Sequence, residues 1–213
     1  GSFLEDIEGS NVLVFAQDTA FGQGNVAAVE AILGAKGASV DSLLVAEDVT
    51  DFTPFAQQIL NASPDLLFMA WAGETSAAMW QALTQQDVFS STTVTTGLGD
   101  ISTYGAFGEA AEGISFLNHY FPGAGQNAVE DAMTELIEGA GGKVDLFSPD
   151  GFNAALMIVH ALENSDMSAD GIIAALEGWK FDGPKGAMEI RAEDHALLQP
   201  MFQASLTKEG DDW

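Results

Sequence analysis

Residues 11–37 read NVLVFAQDTAFGQGNVAAVEAILGAKG, and the fold class turns on how this stretch is divided. Residues 11–16 form a short apolar run with β-branched members, the composition of a buried strand. Residues 17–24 are polar and contain two glycines, which reads as a turn. From Asn25 the apolar residues Val26, Val29, Ile32 and Leu33 recur at helical spacing, and Gly37 supplies a stop. A second strand is expected from about Val40. In a parallel sheet this strand–loop–helix order puts the loop at the carboxyl edge, where open α/β sheets bind ligands. Gly22 and Gly24 do not make the G-x-G-x-x-G pattern, and no Lys-Ser or Lys-Thr follows. They are therefore assigned to the turn and the helix entry rather than to phosphate binding.

The same alternation continues outward. Strands are expected at 40–46, 66–71, 92–96 and 113–120. Helices are expected at 51–62, with Asp51 as N-cap and Pro54 early, at 75–86, with Ala78, Met79, Ala82 and Leu83 toward a core, and at 101–107. Alternating strands and helices predict an α/β fold with a doubly wound parallel sheet. After Phe121-Pro122-Gly123 the pattern changes to helices at 127–140, 151–163 and 169–179, with late strands at 188–191 and 200–206. These helices carry apolar stripes: Val129, Met133, Leu136 and Ile137; Leu156, Ile158, Val159 and Leu162; Ile172, Ile173 and Leu176. With almost no strands of their own, they need a sheet to cover. The fold class is thus a doubly wound α/β lobe plus a mainly helical part of a second lobe.

Composition limits what such a chain can do. Of 213 residues, 47% are hydrophobic, so a sizeable core is available. The formal net charge is −26, from 32 acidic and 6 basic residues, and Arg191 is the single arginine. That excludes ordinary nucleic-acid binding, which requires clustered basic side chains, and disfavours an anionic membrane surface. The acidity keeps the chain soluble while making it repel itself, a repulsion that salt screens. There is no cysteine, hence no disulfide and no thiol nucleophile. No signal peptide is visible, and no apolar run reaches the length of a membrane span.

No constellation of reactive residues stands out. His119, His160 and His195 lack partners at metal-ligand spacing, and no G-x-S-x-G elbow occurs. The acidic stretch Glu47, Asp48 and Asp51 lacks the spacing of a calcium loop and reads as a solvated face. No catalytic residues, metal site or cofactor are therefore assigned. The informative places are the loops that follow the strands, at 18–21, 71–76, 96–100 and 119–121. Gathered along one sheet edge, they offer rings, hydroxyls, free backbone groups and carboxylates, the make-up of a small-molecule pocket.

The segments VFAQDTAFGQG, DFTPFAQQILNASPDLLFMAWAG and GEAAEGISF resemble the extracytoplasmic solute-binding proteins of ABC transporters, of the Leu/Ile/Val-binding, type I periplasmic binding protein branch. The resemblance runs from about Gly9 to Leu206 and covers the later part of such a protein, with the amino-terminal lobe portion lying before it. It implies a ligand-binding lobe at 9–121 and 198–207, and at 122–197 the helical remainder of the other lobe. It implies capture of a small solute outside the membrane, by closure of two lobes about a hinge, for delivery to an ABC permease, with no bond made or broken. The other partner implied is the missing amino-terminal lobe or, in its place, a second copy of the chain. Localisation would be periplasmic or at the cell surface, with a lipid anchor one form of attachment in the full-length protein. A ligand-sensing receptor ectodomain of the same fold is the alternative.

The family uses aromatic side chains in the loops after the first and third strands and an acid after the fourth strand, which holds an ammonium group. The first aromatic maps onto Phe21. The second maps near Ala72 and Gly73, with Trp71 adjoining. The acid maps near Thr96, which is uncharged, leaving Glu74 or Asp100 to supply a charge. The expected ligand-binding set is Asp18, Phe21, Trp71, Ala72, Gly73, Glu74, Thr96, Gly97 and Asp100. With Thr96 in the acid's place, the ligand is expected not to be a plain amino acid.

Overall fold

In the computed structural model, which describes residues 3–210 and 213, strand β1 (Asn11–Gln17) is buried from Val12 onward. Successive strand residues face opposite ways. Val12, Val14 and Ala16 therefore join one set of apolar neighbours, and Leu13 and Phe15 another. Helix α1 (Ala20–Leu33) covers the first face through Val26, Val29 and Leu33. Strand β2 (Ser39–Val45) pairs parallel to β1, with Phe15 opposite Leu43. Helix α2 (Thr53–Ala62) covers the second face through Ala56 and Ile59. Strand β3 (Leu66–Ala70) pairs with the other side of β1, and helix α3 (Ser76–Gln85) adds Met79, Trp80 and Leu83 to the second core. Strands β4 (Thr93–Thr96) and β5 (Ile114–Asn118) extend the sheet, again in parallel. Burial on both faces explains why β1 and β3 read as unbroken apolar runs.

Three local expectations are corrected. The first helix begins at Ala20, not Asn25. Thr19 has extended backbone and its Oγ1 accepts from Gly22 N at 3.1 Å, so the turn is completed within two residues of the strand. Gly22 lies inside the first helical turn, where a Cβ would stand 1.8 Å from Gln17 O. It is a close-contact glycine, and its polar neighbourhood disguised it as a loop residue. Gly37, at φ +92°, does end the segment, after a 3-10 turn at Gly34–Lys36. Asp51 is not the N-cap, which is Phe52; its Oδ1 accepts from Thr53 N at 3.0 Å from one residue further out. The expected short helix at 101–107 is a longer 3-10 stretch, Ile101–Gly113, kinked at Gly108.

The chain divides into two units. One takes in the residues through Leu117 and those from Gln203, and the other is Asn118–Phe202. In the second unit, helices α4 (Ala128–Gly139), α5 (Ser148–Asn164) and α6 (Ala169–Leu176) precede strands β6 (Lys180–Gly183), β7 (Gly186–Ile190) and β8 (Leu197–Leu198). These strands form an antiparallel three-stranded sheet in the order β6-β7-β8. The expectation that this region has almost no strands of its own is therefore corrected. Gly178, at φ +73°, ends α6 three residues before the expected helix end, and Trp179 then stacks between His160 and Phe181 at 4.0 and 4.2 Å. Strand β9 (Phe202–Ala204) follows and lies beside β5, giving the large sheet the order β2-β1-β3-β4-β5-β9.

The second unit has a small core of Tyr120, Met133 and Val144, flanked by Ile137, Phe152 and Phe202. The helical stripes divide. Met133 is fully buried, but Leu136 is 66% and Ile158 62% exposed, and Val159, Leu162 and Ile173 are also exposed.

Candidate functional site

Because β1 to β5 are all parallel, the loops that leave their carboxyl ends open along one edge of the sheet. β3 ends at Ala70, and Trp71 is the first residue beyond it. Its ring stacks on Phe15 at 5.2 Å and meets Phe52 edge-on at 5.3 Å, while its indole N–H donates to Thr75 Oγ1 at 3.1 Å. The core thus fixes the ring while leaving it part-exposed. The next residue is tied as well, since Ala72 N donates to Gln17 Oε1 at 3.2 Å. At the end of β4, Thr96 is buried and its Oγ1 donates to Met69 O at 2.9 Å. Its hydroxyl proton is committed to the sheet, and it brings no charge.

These pieces wall a concavity of about 390 Å3. Six of the expected residues line it: Trp71, Ala72, Gly73 and Glu74 from the loop after β3, and Thr96 and Gly97 from the end of β4. The other three do not. Asp18 is exposed, and its Oδ1 accepts from Gln23 Nε2 at 2.8 Å. Phe21 is 58% exposed in the first turn of α1. Asp100 caps the 3-10 stretch, its Oδ1 accepting from Ser102 N at 3.1 Å and from the Ser102 hydroxyl. The physical reason is shared. Asp18 and Phe21 flank a helix start that comes five residues earlier than expected, and Asp100 caps the start of the 3-10 stretch.

Sequence reading missed the opposite wall. Trp80 and Phe107, with rings 5.3 Å apart, line the concavity together with Ser76, Gly99, Thr103 and Ala106. A signal for Trp80 existed, for it is a large ring between the core positions Met79 and Leu83. Ala78, expected toward the core, is exposed. For Phe107 there was no signal, because the 3-10 path of its segment fixes where its ring goes.

The wall is chemically lopsided. Among the described lining residues, Glu74 carries the one ionisable side chain, and none of the basic residues of the chain takes part. Rings and alanines supply apolar surface, and Ser76, Thr103 and the backbone around Gly97 and Gly99 supply polar groups. This can hold a small, largely apolar solute and orient it by a few hydrogen bonds. Among the described residues, no group of three or more His, Asp or Glu side chains could hold a metal ion, and no helix is long and apolar enough to cross a membrane.

Comparison with known proteins bears on the family and the fold. The family described as Periplasmic binding protein matches residues 1–211. Among curated proteins no relative matches. A solved ABC-type branched-chain amino acid transporter protein from Rhodopseudomonas palustris CGA009 is 26% identical, with a TM-score of 0.82 over 99% of this chain and 58% of its own. A solute-binding protein from R. palustris, solved with 4-hydroxybenzoate, is 20% identical, with a TM-score of 0.77 over 95% of this chain and 58% of its own. A leucine-binding protein from Thermotoga maritima MSB8 is 20% identical, with a TM-score of 0.73 over 92% of this chain and 57% of its own. The chain thus spans less than two thirds of the length of these relatives. Proteins of the matched family bind solutes and are not enzymes. On the match over residues 1–211, this chain belongs to the periplasmic binding protein family.

Proposed function

We propose that this chain is the greater part of an extracytoplasmic solute-binding protein, which captures a small molecule and delivers it to the permease of an ABC importer. The observation that carries the reading is the concavity between Trp71 and Phe107 at the carboxyl edge of a parallel sheet. Capture would follow from closure of a second lobe over this wall. The exposed apolar side chains of α4, α5 and α6 support the presence of that lobe, since such a face is unusual on a free protein. The relatives extend well beyond the length matched here, and the amino-terminal lobe of such a fold is the cover this reading assigns. The protein would then work in the periplasm or at the cell surface, held there in its full-length form by a lipid anchor where one is needed.

The ligand on this reading is not a plain α-amino acid. Thr96 stands near the family's acid, and its hydroxyl is already spent on Met69 O. A similar fold holds 4-hydroxybenzoate in R. palustris, and a wall of three rings suits a ring-bearing solute.

Isothermal calorimetry with this chain joined to the amino-terminal portion of the fold tests both parts. A small aromatic solute is expected to bind, and Ala72→Trp, which fills the concavity from an exposed position, is expected to abolish that binding. Free leucine, isoleucine and valine are expected to bind roughly tenfold to a hundredfold more weakly than to a protein with the acid in place, because a charge-assisted hydrogen bond worth about 1.5–3 kcal/mol is missing. Low-micromolar leucine binding would defeat the ligand assignment. Binding that Ala72→Trp leaves untouched would defeat the site.

A further inference from the structure

Lys185 sits in the turn between β6 and β7 with only 2% of its surface exposed. A buried ammonium is costly unless its surroundings are arranged for it, so its partners are informative. Its Nζ lies 3.2 Å from His119 Nδ1, 3.2 Å from Gln199 Oε1 and 5.9 Å from the centre of the Phe202 ring. His119 turns its other nitrogen to both oxygens of Asp150, at 3.0 and 2.9 Å. Nδ1 is therefore free to accept from the lysine, and the Asp150 charge reaches Lys185 through the imidazole.

These partners occupy particular places along the chain. The second unit begins at Asn118 and ends at Phe202. His119 is thus its second residue, Phe202 its last, and Gln199 lies three residues before the exit. One tetrahedral nitrogen grips the incoming segment with one proton and the outgoing segment with another, while its charge faces the Phe202 ring. The base of the lysine is itself anchored, because Pro184 O accepts from Asn127 Nδ2 at 2.9 Å. A second link between the segments is the edge-on contact of Phe121 and Phe202, at 6.0 Å.

We propose that Lys185 is the positioning residue of the two chain crossings, clasping the segment that enters the second unit to the segment that leaves it and so setting their stiffness. Its relevance to closure rests on the solute-binding function proposed above; the clasp itself does not. Neither a methionine, which fills the volume without donors, nor an arginine, whose donors lie in one plane, reproduces these three directions.

Hydrogen–deuterium exchange on the purified chain, without ligand, tests the clasp. In Lys185→Met, amides at 118–122 and 198–203 are expected to exchange about tenfold faster. Those of β1 to β4 should be unchanged, and the urea midpoint should not fall, because removing a buried charge offsets the lost contacts. Unchanged exchange in the two segments would overturn the proposal. So would a uniform rise across the second unit with a lowered midpoint, which is the mark of plain structural support. Gln199→Leu keeps the lysine and releases one grip, so it should speed exchange at 198–203 and spare 118–122; equal changes in both, or none, would also overturn it. Since no ligand enters the measurement, failure of solute binding and failure of the clasp are read separately.

Discussion

At Lys185, burial and charge oppose each other, and the balance can be read by pH. Loss of hydration pushes its ammonium down from 10.5 to about 8, and the Asp150 charge offsets this in part. A lysine lowered in the folded state is penalised there while charged. Below about pH 8 both states hold the proton, and stability does not change with pH on its account. Between about pH 8 and 10.5 the unfolded chain holds a proton that the folded chain has lost, so stability rises with pH. Tyr120 acts in the opposite sense. Burial and the hydrogen bond to Glu130 raise its phenol above its ordinary value of 10.0, so from there upward the unfolded chain ionises first and stability falls. Urea unfolding at about pH 7.5 and 9.5 should therefore show the native chain gaining about 2 kcal/mol relative to Lys185→Met. A constant difference between the two would mean that Lys185 does not feel its burial. None of this was legible in the sequence, where Lys185 is one of few basic residues in a Gly-Pro-Lys-Gly turn.

Among the elements, α4 shows how a helix start can organise the chain before it. Asn127 caps it, accepting from Val129 N at 2.9 Å and Glu130 N at 3.1 Å. Glu130, in the first turn and 4% exposed, accepts from Tyr120 OH at 2.7 Å, Gly123 N at 3.0 Å and Gln126 N at 2.7 Å. A carboxylate here is favoured by the positive end of the helix dipole. It also satisfies the backbone of a turn that has no other regular structure. Glu130→Ala would leave a buried phenol and two amides without their acceptor, and should cost roughly 3–5 kcal/mol in a urea titration. Glu130→Gln, which keeps one acceptor oxygen, should cost less, and equal losses would show that volume rather than hydrogen bonding is at stake. The helix itself was legible from its apolar spacing. The role of Glu130 was not, because an acid in a first turn is ordinarily a solvated one.

For the molecule as a whole, a net charge of −26 and an exposed apolar face on α4, α5 and α6 pull in opposite directions. The charge keeps copies apart at low salt, while Leu136, Ile158, Val159, Leu162 and Ile173 favour association once the repulsion is screened. Light scattering on the purified chain should show a monomer at low ionic strength and growing association as salt is added. Joining the chain to the amino-terminal portion of the fold should abolish that growth. Persistent association of the joined protein would mean that something other than this portion covers the face. A monomer at all salt concentrations would mean that the face needs no cover.

The parallel α/β lobe was legible in the residues alone, because strands buried on both faces must be apolar throughout and the helices that cover them must carry a 3.6-residue period. The edge that carries the concavity was legible too, since loops after parallel strands all open the same way. Trp71, Ala72, Gly73, Glu74, Thr96 and Gly97, expected on that edge, wall the concavity there. The rest came from long-range contacts. Phe21 does not line the concavity because Thr19 starts the helix early and Gly22 fits against Gln17 O, a contact no spacing reveals. Phe107 entered the site because a 3-10 path carries its ring to Trp80. The three-stranded sheet of the second unit arose from Gly178 ending α6 and a hairpin closing through Gly183 and Gly186, which gave the strand expected at 188–191 two partners that no spacing announced. Periodicity reports which face of an element is covered; what covers it is fixed by contacts between residues far apart in the chain.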